Sequence, residues 1–362
     1  MHSTPTLALA VLLLPSGAEA PRPAPASGDT LRFAPADGAE LTKVFTTTGK
    51  LEATEAEIVV PGESGEVGVE LAAEWERGLK LRDTYVACSD GRPTELRRAF
   101  EELSHEVQSA LLVEVGGVVE VEDPAAATGE SELEGTTVTF AWNPESGSYR
   151  KAFADGEGDA ELLEGLAENT DLRGFLPRDE VSDGDRWDVE AEAVVALLRP
   201  GGDLSLAIES DGTAWEAPAA GIEAWFYTDL GDFVSSDAEV DATCTYEGRS
   251  QVDGRDHGVV AIEVELSCES DVRDGMQDAI DRIADMLPGA VEVTTADLTV
   301  TMEGEGELVW DLEAGHARSL TLELELTVEI ERAIEVDAGG EFMEVTTDMT
   351  IEGELIHELA LR

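Results

Sequence analysis

Three cysteines, five histidines and eighty acids are the side chains from which this 362-residue chain could build a reactive site. The thiols come first, because register speaks to them. Ala238, Val240, Ala242, Cys244 and Tyr246 alternate with polar residues, and Val260, Ile262, Val264, Leu266 and Cys268 answer them beyond Asp253-Gly254-Arg255-Asp256. Strict period-two alternation predicts a hairpin with one apolar face. A turn centred near 256 places Cys244 and Cys268 opposite each other on that face. Directly opposed residues come within ~4.5–5.5 Å at Cα, a span a disulfide can close. A Cys244–Cys268 disulfide is therefore expected, with Cys88 free and buried; three core thiols are the alternative.

The histidines form no constellation. His105, His257, His316 and His357 stand alone in the chain, and no His-x-x-x-His, Cys-x-x-Cys, Gly-x-Ser-x-Gly or glycine-rich phosphate loop occurs. No cofactor is indicated. His357 falls on the apolar side of its predicted strand, where a satisfied core histidine is the ordinary reading. Asp155, Glu157, Asp159 and Glu161 are spaced like the start of a calcium loop, but Ala160 holds the glycine place and Leu166 the place of the closing carboxylate. No metal site or catalytic residue is assigned. With 80 acids, no carboxylate pair stands out for acid–base work.

Charge then bounds the partners. Eighty acids face 23 basic residues, only four of them lysine, for a net charge of −57. Such a surface repels nucleic acid and anionic headgroups, which need Lys/Arg clusters. It is read as a solvated acidic surface; the sharper alternative is divalent cations bound among the carboxylates. A hydrophobic content of 42% is that of a folded protein.

Residues 1–18 read as a signal peptide. Leu7 to Leu14 is a short apolar run and Ser16 and Ala18 permit cleavage before Glu19, which predicts export to the periplasm or exterior. The run is too short to span a bilayer, and no later stretch is long enough. A Pro/Ala-rich tether follows over 19–29. Two β-rich halves are then expected, 30–215 with helices near 93–111 and 159–168, and 216–362 with a helix near 271–287.

The clearest element is a long hairpin from Leu298 to Ile330, apolar on one face and acidic on the other, turning at Asp311-Leu312-Glu313-Ala314-Gly315. A last strand follows with Met343, Val345, Met349, Ile351, Leu355, Leu359 and Leu361 inward. Val67–Trp75 and Leu79–Cys88 read as an earlier hairpin turning at Glu76-Arg77-Gly78. Leu96, Phe100, Leu103, Val107 and Leu111 lie at helical spacing. Trp142-Asn143-Pro144-Glu145-Ser146-Gly147 parallels Trp310-Asp311-Leu312-Glu313-Ala314-Gly315, which suggests an internal duplication. The fold class expected is α+β: long, curved antiparallel meander sheets with amphipathic helices on one face.

Leu176-Pro177, Val181, Gly184-Asp185 and Trp187, together with Asp83-Thr84-Tyr85, Gly91-Arg92-Pro93, Leu96, Arg98 and Phe100, resemble segments of uncharacterised secreted bacterial β-sheet proteins. The long-strand architecture is similar to the curved half-barrels of bacterial lipoprotein carriers. That resemblance implies an exported, non-enzymatic protein holding an apolar small molecule, a lipid or an envelope partner. Two alternatives stay open: a structural or interaction protein with a filled core, and a hydrolase using carboxylates or a metal.

Overall fold

The computed structural model of the chain describes residues 28–59, 67–115, 118–121, 125–210, 238–282, 290–337 and 342–361. The predicted signal peptide, most of the tether and the boundary near 215 lie outside them. Among the described residues fourteen strands form one sheet: β1 (Ala39–Val59), β2 (Val67–Ser89), β3 (Arg92–Val115), β4 (Val118–Val121), β5 (Ala125–Glu130), β6 (Thr137–Asn143), β7 (Ser148–Phe153), β8 (Arg186–Asp188), β9 (Ala207–Ser210), β10 (Glu239–Val252), β11 (Arg255–Asp271), β12 (Ala290–Asp311), β13 (His316–Asp337) and β14 (Phe342–Leu361). The strands run β7-β6-β3-β2-β1-β14-β13-β12-β11-β10-β8, with β4 and β5 beside β3 and β9 beside β5. The described pairs are all antiparallel, and β1 pairs with β14, so first and last strands join the two halves into one surface.

This overturns the α+β expectation. Two α-helices are described, α1 (Ala191–Leu198) and α2 (Arg273–Arg282). Of the predicted helix 271–287, residues 273–282 are helical and 283–287 lie outside the described residues. The predicted helix 159–168 is a single 3-10 turn over Ala160–Leu163. The predicted helix 93–111 is strand β3. Its helical spacing is produced by a β-bulge: Lys80 faces Glu102 and Leu81 faces Phe100, leaving Glu101 extra. Inward residues therefore run Leu96, Arg98, Phe100 and then Leu103, His105, Val107, Ser109. The three-residue step at the bulge, with the polar side chains of Arg98 and His105 hidden among the apolar positions, imitates a helix.

The hairpin proposed at Glu76-Arg77-Gly78 also fails, since β2 passes straight through it. The turn is instead Asp90-Gly91, where φ is +54° and +71°, and Ser89 faces Arg92. Asp253-Gly254 turns β10 into β11 in the same way, with φ of +52° and +77°. A two-residue loop with both φ positive matches the twist of antiparallel strands, which is why Asp-Gly is favoured there.

The expected hairpin 298–330 forms, with Asp311 facing His316. At ~3.3 Å per residue its 22-residue strands run for about 70 Å. Their inward side chains, Leu298, Val300, Met302 and Leu308 on one strand and Leu320 to Ile330 on the other, are at most 6% exposed. A sheet of this length must coil, and close backbone approach marks where it does. A Cβ on Gly304 would lie 2.0 Å from the Glu323 carbonyl oxygen, and one on Gly353 2.0 Å from that of Lys50.

One end of the curled sheet is plugged. Leu166, Leu172, Phe175, Val194, Leu197 and Leu204 from the segment between β7 and β9 join the core formed by both halves. Leu31 and Phe33 cross the same end. Asp29 accepts hydrogen bonds from Tyr246 Oη (2.5 Å) and Arg249 Nε (2.8 Å), and Trp310 Nε1 donates to the Arg32 carbonyl at 3.3 Å.

Candidate functional site

Register turns the acidic faces of single strands into ordered rows. Asp241, Glu265, Glu303, Glu325 and Glu354 stand side by side across β10, β11, β12, β13 and β14. One pleat away, Glu263, Glu305 and Glu323 form a second row. All are exposed, on the face opposite the core. They wall an open furrow of ≈ 650 Å³, floored by backbone at Gly304, with Val264, Leu324 and Leu355 also lining it. Lys50 interrupts the first row between Glu354 and Glu74, and pairs with Glu52 at 2.8 Å. Each adjacent carboxylate pair repels by roughly 1 kcal/mol in water at contact distances, less in salt. The furrow attracts cations and repels anions.

The inner face carries a polar row of its own. His357, Thr47, Arg77 and His105 are consecutive register partners across β14, β1, β2 and β3, all buried. The Thr47 hydroxyl and His357 Nδ1 share a hydrogen bond of 2.8 Å. His357, odd by sequence, is thus a core residue with a hydroxyl partner.

A third cluster locks the plug to the sheet. Arg98 donates from Nε to Asp83 Oδ1 (2.8 Å) and from Nη2 to Asp83 Oδ2 (2.9 Å) and Thr170 Oγ1 (2.6 Å). Lys43 Nζ donates to Asp83 Oδ2 and Tyr85 Oη, both at 2.8 Å, and to Thr170 Oγ1 at 2.9 Å. Arg98 also reaches the carbonyls of Ala167 and Glu168, and Arg173 grips Glu168 with both terminal nitrogens (3.0 and 2.8 Å). Burial works to raise the Asp83 pKa, but the charges and hydrogen bonds of Arg98 and Lys43 overcome it and hold the carboxyl well below the usual range. Burial pushes Glu168 upward, against the Arg173 fork. Asp83 and Arg98 are wholly enclosed, so this is a fastening that no substrate reaches.

The residues singled out by sequence fall elsewhere. The Cys244–Cys268 disulfide does not form: the two-residue turn and the bulge between Tyr246 and Gly248 set Cys244 opposite Ile262, Cys268 faces Val300 of the next strand, and all three cysteines are free. Burial pushes the Cys244 thiol up to about 12 and Cys88 to about 11, the latter with help from Asp37. Asp155 and Asp159 accept hydrogen bonds from the backbone of Glu157 and Glu161, both at 3.0 Å, so they cap turns. His257 is buried beside Asp311, and His316 bonds the Ala317 carbonyl. The Trp142 and Trp310 turns share their bonds: Asn143 Oδ1 and Asp311 Oδ1 each accept from the N–H two residues on (3.0 Å), and Gly147 and Gly315 close each turn at 2.9 Å. Among the described residues, no group of three or more His, Cys, Asp or Glu is placed to hold a metal ion. Nor is any described helix long and apolar enough to cross a membrane.

No protein-family model matches this sequence, and no curated protein matches it. Among solved structures, OccK7 (OpdD) of Pseudomonas aeruginosa is similar at 8% identity and a TM-score of 0.17, over 89% of this chain and 99% of that one. An outer membrane channel from Pseudomonas putida is similar at 9% identity and a TM-score of 0.17, over 91% of this chain and 97% of the other. Likeness this slight carries no argument about fold or function.

Proposed function

We propose that the chain is an exported, non-enzymatic structural or interaction protein, whose long sheet is a filled scaffold that presents its carboxylate face outward. The observation that carries this reading is the closure of the inner face. Leu320, Leu322, Leu324 and Leu326 are 0–3% exposed, as are Met302, Val300, Ile351 and Leu355 on the flanking strands. A void wide enough for a water-sized sphere would register as exposure on its walls, so this interior has no room for a lipid tail beside those residues. The carrier reading loses its main support there.

The charge of the opposite face argues further. Carboxylates at Glu303, Glu305, Glu323 and Glu325 would each be costly against hydrocarbon, so this part of the sheet is built for water. Against catalysis stands the enclosure of the best-formed charge cluster, whose carboxylate Asp83 is saturated by Arg98, Lys43 and Thr170. Export rests on the apolar run Leu7–Leu14. Native mass spectrometry of freshly purified protein tests the reading. It is expected to give the mass of the polypeptide alone; a bound lipid in stoichiometric amount would restore the carrier.

A further inference from the structure

Several exposed cations on this protein pair with carboxylates. Lys50 pairs with Glu52, Lys80 with Glu102, Arg178 with Glu190 and Arg273 with Asp271. Arg332 does not. It stands on the inner side of β13, opposite Ala296 of β12 and Thr347 of β14. One pleat further in lie Leu298, Ile330 and Met349, all at most 4% exposed. Among the described residues Arg332 makes no hydrogen bond and no ion pair, and its Nε is closed off from solvent without an acceptor. The residue is only half-buried, so what remains reachable is the far end of the guanidinium fork.

The surroundings are built, not loose. Helix α2 covers the same end of the sheet: the Val272 N–H donates to the Ala296 carbonyl at 2.9 Å, and Met276 is buried. The Gln277 side chain receives the Val293 N–H at 2.8 Å and donates to the Val291 carbonyl at 3.2 Å. Among the described residues burial is the sole influence on the Arg332 pKa, which it lowers, and no described carboxylate contributes. In so acidic a chain, a guanidinium that meets no described carboxylate stands apart from the protein's own charges. Enclosing an unpaired charge is unfavourable, and a fork of parallel N–H donors matches the two oxygens of a carboxylate or phosphate.

We propose that Arg332 is the anchor of an oxyanion site at the α2 end of the sheet, receiving one carboxylate or phosphate group from outside the chain. The site is independent of the filled-scaffold reading, because it needs only the rim and not the interior.

The test titrates the full-length mature protein with inorganic phosphate and, separately, with decanoate below its micelle concentration. Ionic strength is held constant with chloride, and binding is followed by calorimetry and thermal unfolding. At least one probe is expected to bind saturably and to raise the melting temperature. Arg332→Met should weaken that binding by about tenfold or more, and Arg332→Lys, which keeps the charge but loses the fork, by less. Without anion, Arg332→Met should melt at or above the wild type, since an apolar side chain replaces a lone charge. Binding of phosphate assigns a free oxyanion; binding of decanoate alone assigns the head of an amphiphile. The proposal is overturned if neither probe saturates, if Arg332→Met binds as well as wild type, or if that variant melts several degrees lower without anion.

Discussion

Glu303 on β12 faces Glu325 on β13 directly, and the same row continues to Glu265 on one side and Glu354 on the other. Like charges opposed across antiparallel strands destabilise a sheet. Here they are tolerated because the inward partners of the same strands, Met302, Leu324 and Leu326, are almost fully buried. Stability should therefore rise with added salt. Glu325→Gln should stabilise by up to ~1 kcal/mol at low ionic strength, a gain that shrinks in molar salt. Chemical denaturation in urea at two salt concentrations checks it; an equal gain at both would show that charge is not the cause.

The Asp83 cluster should behave in the opposite way, as a buried fastening that salt does not reach. Asp83→Asn leaves Lys43 and Arg98 enclosed without their counter-charge and is expected to cost about 3–5 kcal/mol near neutral pH. The sign of its pH dependence follows from the depressed folded pKa. The stabilisation is fully present above the unfolded value of ~3.9 and is lost as pH falls through the folded value. The gap between wild type and variant should stay constant from pH 8 to 5 and narrow only in strong acid. A gap that closed near pH 6 would mean that another group is responsible.

Two glycine substitutions should move stability in opposite directions. At Gly304 a methyl would strike the Glu323 carbonyl, so Gly304→Ala is expected to cost at least 1–3 kcal/mol, roughly the range for overpacking. At Gly275, within α2, a Cβ meets nothing within 4 Å, and Gly275→Ala should stabilise by about 0.5–1 kcal/mol. Thermal melts of both proteins decide the matter.

The thiols offer a count. Denatured, unreduced protein should titrate three free cysteines, while in the native state Cys244 should react far more slowly with a thiol reagent than an exposed thiol, being buried and held protonated. One thiol in the denatured count would restore a disulfide.

Much of the sheet was legible because alternation is a local signal. The hairpin through Asp311–Gly315 and the inward faces of β10, β11 and β14 follow from period two alone. What failed was register and phase. Placing the turn near 256 rather than at Asp253-Gly254, and missing the one-residue bulge between Tyr246 and Gly248, displaced Cys244 from its true partner Ile262 by six positions. One extra residue at Glu101, outward and paired with Lys80 and Arg82, disguised β3 as a helix. Its inward Arg98 and His105 deepened the disguise, since buried polar side chains break the apolar pattern that a strand is recognised by. Helix α1 was missed because eight residues ending before Pro200 are too few for helical periodicity to show. The acidic rows were within reach once the Asp311–Gly315 turn was fixed: that turn alone would set Glu303 against Leu324, and the one-residue shift between Val309 and Trp310, which alternation requires, brings it opposite Glu325. The pairing of Lys43 with Asp83 and Thr170 spans 127 residues of sequence, and no local pattern announces it.

The closed inner face is the claim on which the account turns, and uptake of a fluorescent fatty acid by the native protein tests it most directly. The account predicts no saturable rise in fluorescence from a bound tail, in low or high salt, whatever Arg332 does with a headgroup at the rim. A saturable signal that survives in Arg332→Met and disappears on unfolding would place an apolar chain beneath Leu322 and Leu324, and would contradict it.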